Sequence, residues 1–249
     1  MEYKSEPYLN WAQTIGALHD QARRAGWPEA DRALLLETYN LVEPMFTGWC
    51  RASGRPFICH LTGVASLVLK HGGSRDEVLA ALAHAAIQAG AYGPYGPLVR
   101  TDVRPLLAKS LPASCARLVE AYTQFDWKAF IETAGRDIAS AVDAAPAIQL
   151  KLRIANEMDD ALDWPFLTER RRREGARECA VSIDAAIALG WPALASEIAA
   201  VRDAMAAVPP VGQTGREDYF VPPDGYRLAF PERIRRKLQR LLSRNRRAA

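Results

Sequence analysis

The chain has no apolar run near the roughly 18 residues that cross a bilayer. It has no C-x-x-C pair among its four cysteines and almost no period-two alternation of β-branched residues. The first absence excludes a membrane-spanning helix. The second removes the common zinc and disulfide frameworks, so Cys50, Cys59, Cys115 and Cys179 read as buried free thiols. The third excludes sheet as the main scaffold. Met1-Glu2-Tyr3-Lys4-Ser5-Glu6 lacks both the basic and the apolar segment of a secretory leader, so a cytoplasmic protein is the expectation. No repeat recurs at solenoid periods. Histidine is scarce as well, with 4 in 249 residues.

Hydrophobic residues make up 49% and charged residues 24%, which excludes disorder as the main state and supports one sizeable core or two small ones. The formal charge of +3 is too small to argue for a polyanionic partner, but its distribution is uneven. Residues 231–249 hold eight basic side chains and one acid, a local +7 that leaves −4 for the rest.

Apolar residues recur at three- and four-residue spacing, which predicts an all-α fold. The expected helices run from Trp11 to Ala25, Glu29 to about Ala52, His60 to Lys70, and Arg75 to about Ala89 after a Ser74 cap. Five more follow, over Val103–Ala108, Pro112–Thr123, Pro146–Leu162, Leu167–Leu189 and Ala193–Ala207. Ser53-Gly54-Arg55-Pro56 reads as a turn, and Gly90 to Pro97 as a loop. The compact domain is expected to span residues 1–208, with a linker over 209–225 and a basic tail over 226–249.

His60 follows the turn, and His84 lies in a run of small apolar side chains, Leu79 to Ala86. A buried imidazole needs a hydrogen-bond partner or a metal, so a satisfied core histidine and a ligand are both open readings.

Three blocks bear on this choice. Arg51-x-Ser53-Gly54-x-Pro56-Phe57-Ile58-x-His60 is followed by Ala80-Ala81-Leu82-x-His84 and later by Leu150-Lys151-Leu152-x-Ile154-Ala155-Asn156. Over residues 28 to 165 this order resembles the HD-superfamily hydrolase domain of the RelA/SpoT family. The resemblance implies an HD-domain-like helical bundle in which two histidines and two aspartates hold a divalent metal that activates water against guanosine tetraphosphate. His60 and His84 match the histidine positions. The aspartate after the second histidine is Ala85, the aspartate of the third block is Asn156, the water-positioning acidic pair is Gln88 and Ala89, and the glutamate of the first block is Arg55. Two imidazoles and an amide are a weak set for manganese, which favours oxygen ligands. A divalent metal (Mn, Fe or Zn) is therefore expected to bind weakly or not at all.

At about 100° per residue on the helix from Pro146, Asp159 falls inside the apolar arc and Asp163 at its edge. An inward carboxylate needs a cation, a metal or a raised pKa. Asp159 is thus a candidate substitute ligand or base, and the alternative is an ion pair with a buried arginine. The candidate metal set is His60, His84, Asn156 and Asp159; the candidate catalytic groups are His84 and Asp159. Arg51 matches the family arginine that packs on the guanine base. With Arg55 and Asp160 it forms the candidate ligand-binding set for a small anionic or nucleotide-like ligand. Asp159, Asp160 and Asp163 also spell the D-D-x-x-D of isoprenoid synthases, but no second acidic cluster accompanies it.

In the tail, Phe230, Ile234, Leu238, Leu241 and Leu242 recur at helical spacing among arginines, which predicts a C-terminal amphipathic basic helix. Three readings remain: docking on the acidic body, a peripheral membrane or polyanion contact through residues 230–247, or a frayed end. A homo-oligomer stays among the candidate partners. Function is expected to be that of a divergent enzyme acting on a small phosphorylated or anionic substrate, or of a catalytically inactive binding module.

Overall fold

Helix α3, Phe57–Lys70, is apolar around most of its circumference, and eleven of its residues are buried, His60 to Leu69 without interruption. A helix of that kind must be covered on every side. The computed structural model, which describes residues 10–89 and 102–210 and the backbone of 219–220, places it at the centre of the fold.

Eleven α-helices surround or include this centre among the described residues. Helices α1 (Ile15–Arg24), α2 (Glu29–Phe46) and α4 (Arg75–Ala83) pack on the amino-terminal side, with α5 (Arg104–Ser110) and α6 (Ala113–Gln124) beyond α4. Two short helices, α7 (Trp127–Ala134) and α8 (Ile138–Ala144), lead into α9 (Ala147–Asp160). A 3-10 turn over Ala161–Phe166 follows, then the antiparallel-packed pair α10 (Glu169–Ala188) and α11 (Pro192–Ala207). Packing of α9 against both α3 and α10 makes it the second central element.

Local sequence sets the helix ends. A capping box between Ser74 and Glu77 starts α4. Asp126 and Asp137 start α7 and α8 by accepting the backbone N–H of Ala129 and Ser140. These two helices lie in a stretch where the periodicity predicts none. Helix α2 stops at Phe46, short of the expected Ala52, because Gly48 takes a φ of 88° that ends the helix. Helix α3 begins three residues before the expected His60, and α4 ends at Ala83 instead of Ala89, so His84 caps α4.

The chain released after Gly48 forms a two-residue strand β1, Cys50–Arg51, which pairs antiparallel with β2, Tyr219–Phe220. The expected linker over 209–225 therefore contains a segment that returns to the turn carrying Arg51. The loop expected at Gly90 to Pro97 and the tail helix expected over 226–249 lie outside the described residues. Among the described residues, no helix is long and apolar enough to cross a membrane. Cys50, Cys115 and Cys179 are buried and Cys59 is partly so.

Candidate functional site

Helices α3 and α9 cross where α3 has no side chain to offer. A Cβ built on Gly63 would stand 2.1 Å from Asp159 Oδ1, so glycine is the residue that lets the Asp159 carboxylate lie between the helices. Asp159 has no exposed surface. Burial alone would raise its pKa, but the Arg55 guanidinium and His60 outweigh it and hold the carboxyl well below the usual range.

Its partners converge from three parts of the chain: the segment before α1, the turn after β1, and α3. Trp11 Nε1 and Gln13 Nε2 donate to Oδ1 at 3.0 and 2.9 Å. Arg55 Nη2 donates to Oδ2 at 2.8 Å, and His60 Nδ1 lies 2.8 Å from the same oxygen. Because an ionised carboxylate only accepts, His60 must carry its proton on Nδ1. Gln13 also accepts from Arg55 Nη1 at 2.5 Å, so one amide links the guanidinium and the carboxylate.

Arg51 extends the arrangement. Its Nε donates to Asp163 Oδ2 at 3.0 Å and its Nη2 to Asp160 Oδ1 at 2.5 Å, with Arg55 Nη2 reaching Asp163 Oδ2 at 3.1 Å. Ser53 Oγ donates to Asp163 Oδ1. The guanidinium of Arg51 lies 5.6 Å from the centre of the Phe57 ring, in cation–π contact. Both guanidiniums are buried, which would lower their pKa, yet the facing carboxylates leave both raised. The turn expected at residues 53–56 positions the two arginines: Arg51 N–H donates to the Arg55 carbonyl and Gly54 N–H to the Arg51 carbonyl, each at 2.8 Å.

The histidines adjoin this lattice. Their ring centres lie 5.3 Å apart at 76°, and His84 in turn meets the Tyr122 ring edge-on at 5.1 Å. His84 Nδ1–H donates to the Ala81 carbonyl at 2.7 Å. Burial, then the neighbouring His60, pulls the pKa of His84 down to about 3, so it is neutral at ordinary pH. Asn156 Nδ2 donates to Asp160 Oδ2 at 2.9 Å. Beyond Asp160, Arg153 Nη1 donates to the Tyr122 hydroxyl at 3.3 Å, and Nη2 stands 2.6 Å from Glu157 Oε1, a charge contact off the hydrogen-bond direction. Burial pushes Glu157 well above the usual carboxylate range despite Arg153, and the nearby Glu178 adds to the rise.

All seven residues singled out in the sequence, Arg51, Arg55, His60, His84, Asn156, Asp159 and Asp160, therefore fall in one buried polar cluster. Their pairing differs from a cation site. The Asp159 oxygens are taken up by Trp11, Gln13, Arg55 and His60; Asn156 turns an N–H toward Asp160; and no three His, Cys, Asp or Glu side chains converge on a metal position among the described residues. The two guanidiniums of Arg51 and Arg55 lie against the three carboxylates of Asp159, Asp160 and Asp163. Arg51 and Arg55 likewise spend their donors on aspartates. Sequence reasoning missed Trp11, Gln13 and Tyr122; no periodic pattern links positions 148 and 146 residues from Asp159 to it.

A cleft of about 280 Å³ opens one turn past His84, floored by Ile87, Leu107 and Ala116 and edged by Arg104, Arg117 and Glu120. No protein-family model matches this chain, and no curated protein matches it either.

Proposed function

We propose that the protein is a RelA/SpoT-like HD-type domain that works as a binding module and does not hydrolyse its ligand. The observation that carries this reading is Arg55. A guanidinium stands 2.8 Å from Asp159 Oδ2, on the carboxylate that also orients His60, so the cation in contact with the acidic residues is part of the chain. A hydrolase of this type draws its nucleophile from metal-bound water; here the carboxylates are committed to arginine.

The ligand is a small anion, nucleotide-like in kind. Its support lies in the cleft beyond His84, where Arg117 and Arg104, the latter paired with Asp102 and Glu120, edge an apolar floor. The volume is near the low end for ligand pockets, roughly 300 Å³, which favours a small molecule. Contact of residues 230–247 with a membrane surface or polyanion, and self-association, belong to the same proposal.

A second reading rests on the His60–Asp159 pair. The carboxylate fixes the Nδ1–H tautomer, leaving Nε2 as the basic atom, which is the arrangement of a metal-free general base. Incubation with guanosine tetraphosphate separates the two readings. Binding alone raises the melting temperature with no pyrophosphate released. Metal-free catalysis releases pyrophosphate in the presence of chelator and loses that activity in His60→Gln. A protein that neither shifts nor turns over any guanosine or adenosine nucleotide contradicts both.

A further inference from the structure

Helix α2 leaves one face of its length uncovered among the described residues. Glu29, Ala33, Leu36, Glu37, Asn40 and Pro44 recur at helical spacing and are all exposed, while Leu35, Val42 and Phe46 on the other side are buried. The face joins a shallow apolar strip to two carboxylates that form no ion pair among the described residues. Leu36, at 38%, is one of four large apolar side chains left exposed there.

Charge on α2 is one-sided. The helix holds four acids and one base, Arg32, whose Nη1 is spent on the Trp27 carbonyl at 2.9 Å. Of the acids, Asp31 is matched by Arg75 of α4 at 3.0 Å. The last turn contains Glu43 and no basic residue, so nothing in α2 itself offsets the negative end of its dipole.

The fold delivers the most basic part of the chain to this place. Only three residues separate α2 from β1, and β2 pairs with β1, so the chain beyond Phe220 departs from the carboxy-terminal end of α2. Residues 231–249 sum to +7, and Phe230, Ile234, Leu238, Leu241 and Leu242 are spaced as an apolar stripe that needs cover. Nine residues lie between Phe220 and Phe230 and can reach about 30 Å, which covers the whole length of α2, about 27 Å for 18 residues. As a helix, Phe230 to Leu242 is about 20 Å long and fits within it.

We propose that residues 230–242 dock as an amphipathic helix along the exposed face of α2, with the apolar stripe on Ala33, Leu36 and Pro44 and the flanking basic side chains against Glu29, Glu37 and Glu43. Pairing of β2 with β1 makes the contact intramolecular, so a modest interface is enough to hold it. Contact of residues 230–247 with an anionic surface then requires release from α2. The inference goes beyond the binding-module reading and is independent of what the cleft holds.

The test is amide hydrogen exchange of the full chain, read by mass spectrometry. Residues 230–242 exchange at least tenfold more slowly than in a synthetic peptide of the same sequence. Leu36→Asp combined with Glu37→Lys returns them to the peptide rate while α3 and α9 keep wild-type rates; Glu132→Lys, which reverses an exposed acid on α7, has no effect. Glu29→Lys combined with Glu37→Lys replaces the first variant if that one does not fold. Peptide-like exchange in wild type overturns the proposal. So does slow exchange that survives the α2 variants, that appears only on raising the protein concentration, or that appears only with phosphatidylglycerol vesicles; these outcomes place the segment on another face, on a second copy or on a lipid surface. Nucleotide binding or turnover bears on the functional reading alone and leaves this inference standing.

Discussion

Asp159 Oδ2 receives hydrogen bonds from Arg55 Nη2 and from His60 Nδ1, both at 2.8 Å, on a carboxylate with no exposed surface. One oxygen thus connects the turn after β1, the central helix α3 and the end of α9. The charge on Asp159 is compensated by Arg55, and the orientation of His60 follows from it.

Removing that compensation leaves a buried carboxylate hydrogen-bonded by Trp11, Gln13 and His60 but facing no arginine, which costs about 3–5 kcal/mol. Arg55→Ala is expected to lower unfolding free energy in urea by that amount in metal-free buffer. Arg55→Lys, which keeps the charge but not the fork, should fall between wild type and Arg55→Ala.

Gly63→Ala places a methyl group 2.1 Å from Asp159 Oδ1. The variant should lose about 3 kcal/mol, the upper end of the usual cost of overpacking. Combined with Asp159→Ala, which vacates the space, the loss should be markedly less than additive. Additive denaturation energies would show that the two groups do not compete for the same volume.

His84 is held neutral down to about pH 3, against an unfolded value near 6.5. Its contribution to stability is complete above 6.5 and is lost as the pH falls toward 3, because the unfolded chain takes up a proton that the fold refuses. The expected slope is about 1.4 kcal/mol per pH unit for one proton. His84→Phe should flatten the acid limb of a stability–pH curve.

Glu157 acts with the opposite sign. Its pKa rises on folding from a value near 4.5, so its favourable contribution is complete below 4.5 and fades as the pH rises toward its folded value. Between about 4.5 and 6.5 it offsets part of the His84 slope. Glu157→Gln should therefore steepen the rise of stability with pH in that interval, by up to one proton, when followed by urea denaturation. An unchanged slope would place Glu157 in the ordinary carboxylate range.

The segment after α11 closes on β1, where Tyr219–Phe220 pairs with Cys50–Arg51. Truncation after residue 210 should cost about 1–2 kcal/mol, the scale of a few backbone hydrogen bonds. It should also speed proteolysis at the turn around Ser53.

The inward position of Asp159 was legible from helical angle alone, and an ion pair with a buried arginine was one of its two readings. The identity of that arginine was not. Arg55 sits in a turn, where no periodicity says which way a side chain points, and its separation of 104 residues from Asp159 is spanned only by tertiary packing. The all-α class and most helix positions followed from apolar spacing. Helices α7 and α8 did not, because each is only two turns long and starts from an aspartate cap and not from an extended apolar stripe. The tether at β2 was hidden for a related reason: a two-residue strand carries no alternation to read.

Metal content tests the central claim most directly. Protein purified without chelator and analysed by mass spectrometry for manganese, iron and zinc should carry far less than one ion per chain, and chelator should leave its melting temperature unchanged. Close to one ion per chain, lost in both His84→Ala and Asp159→Asn, would contradict the assignment of Arg55 as the cation of this site.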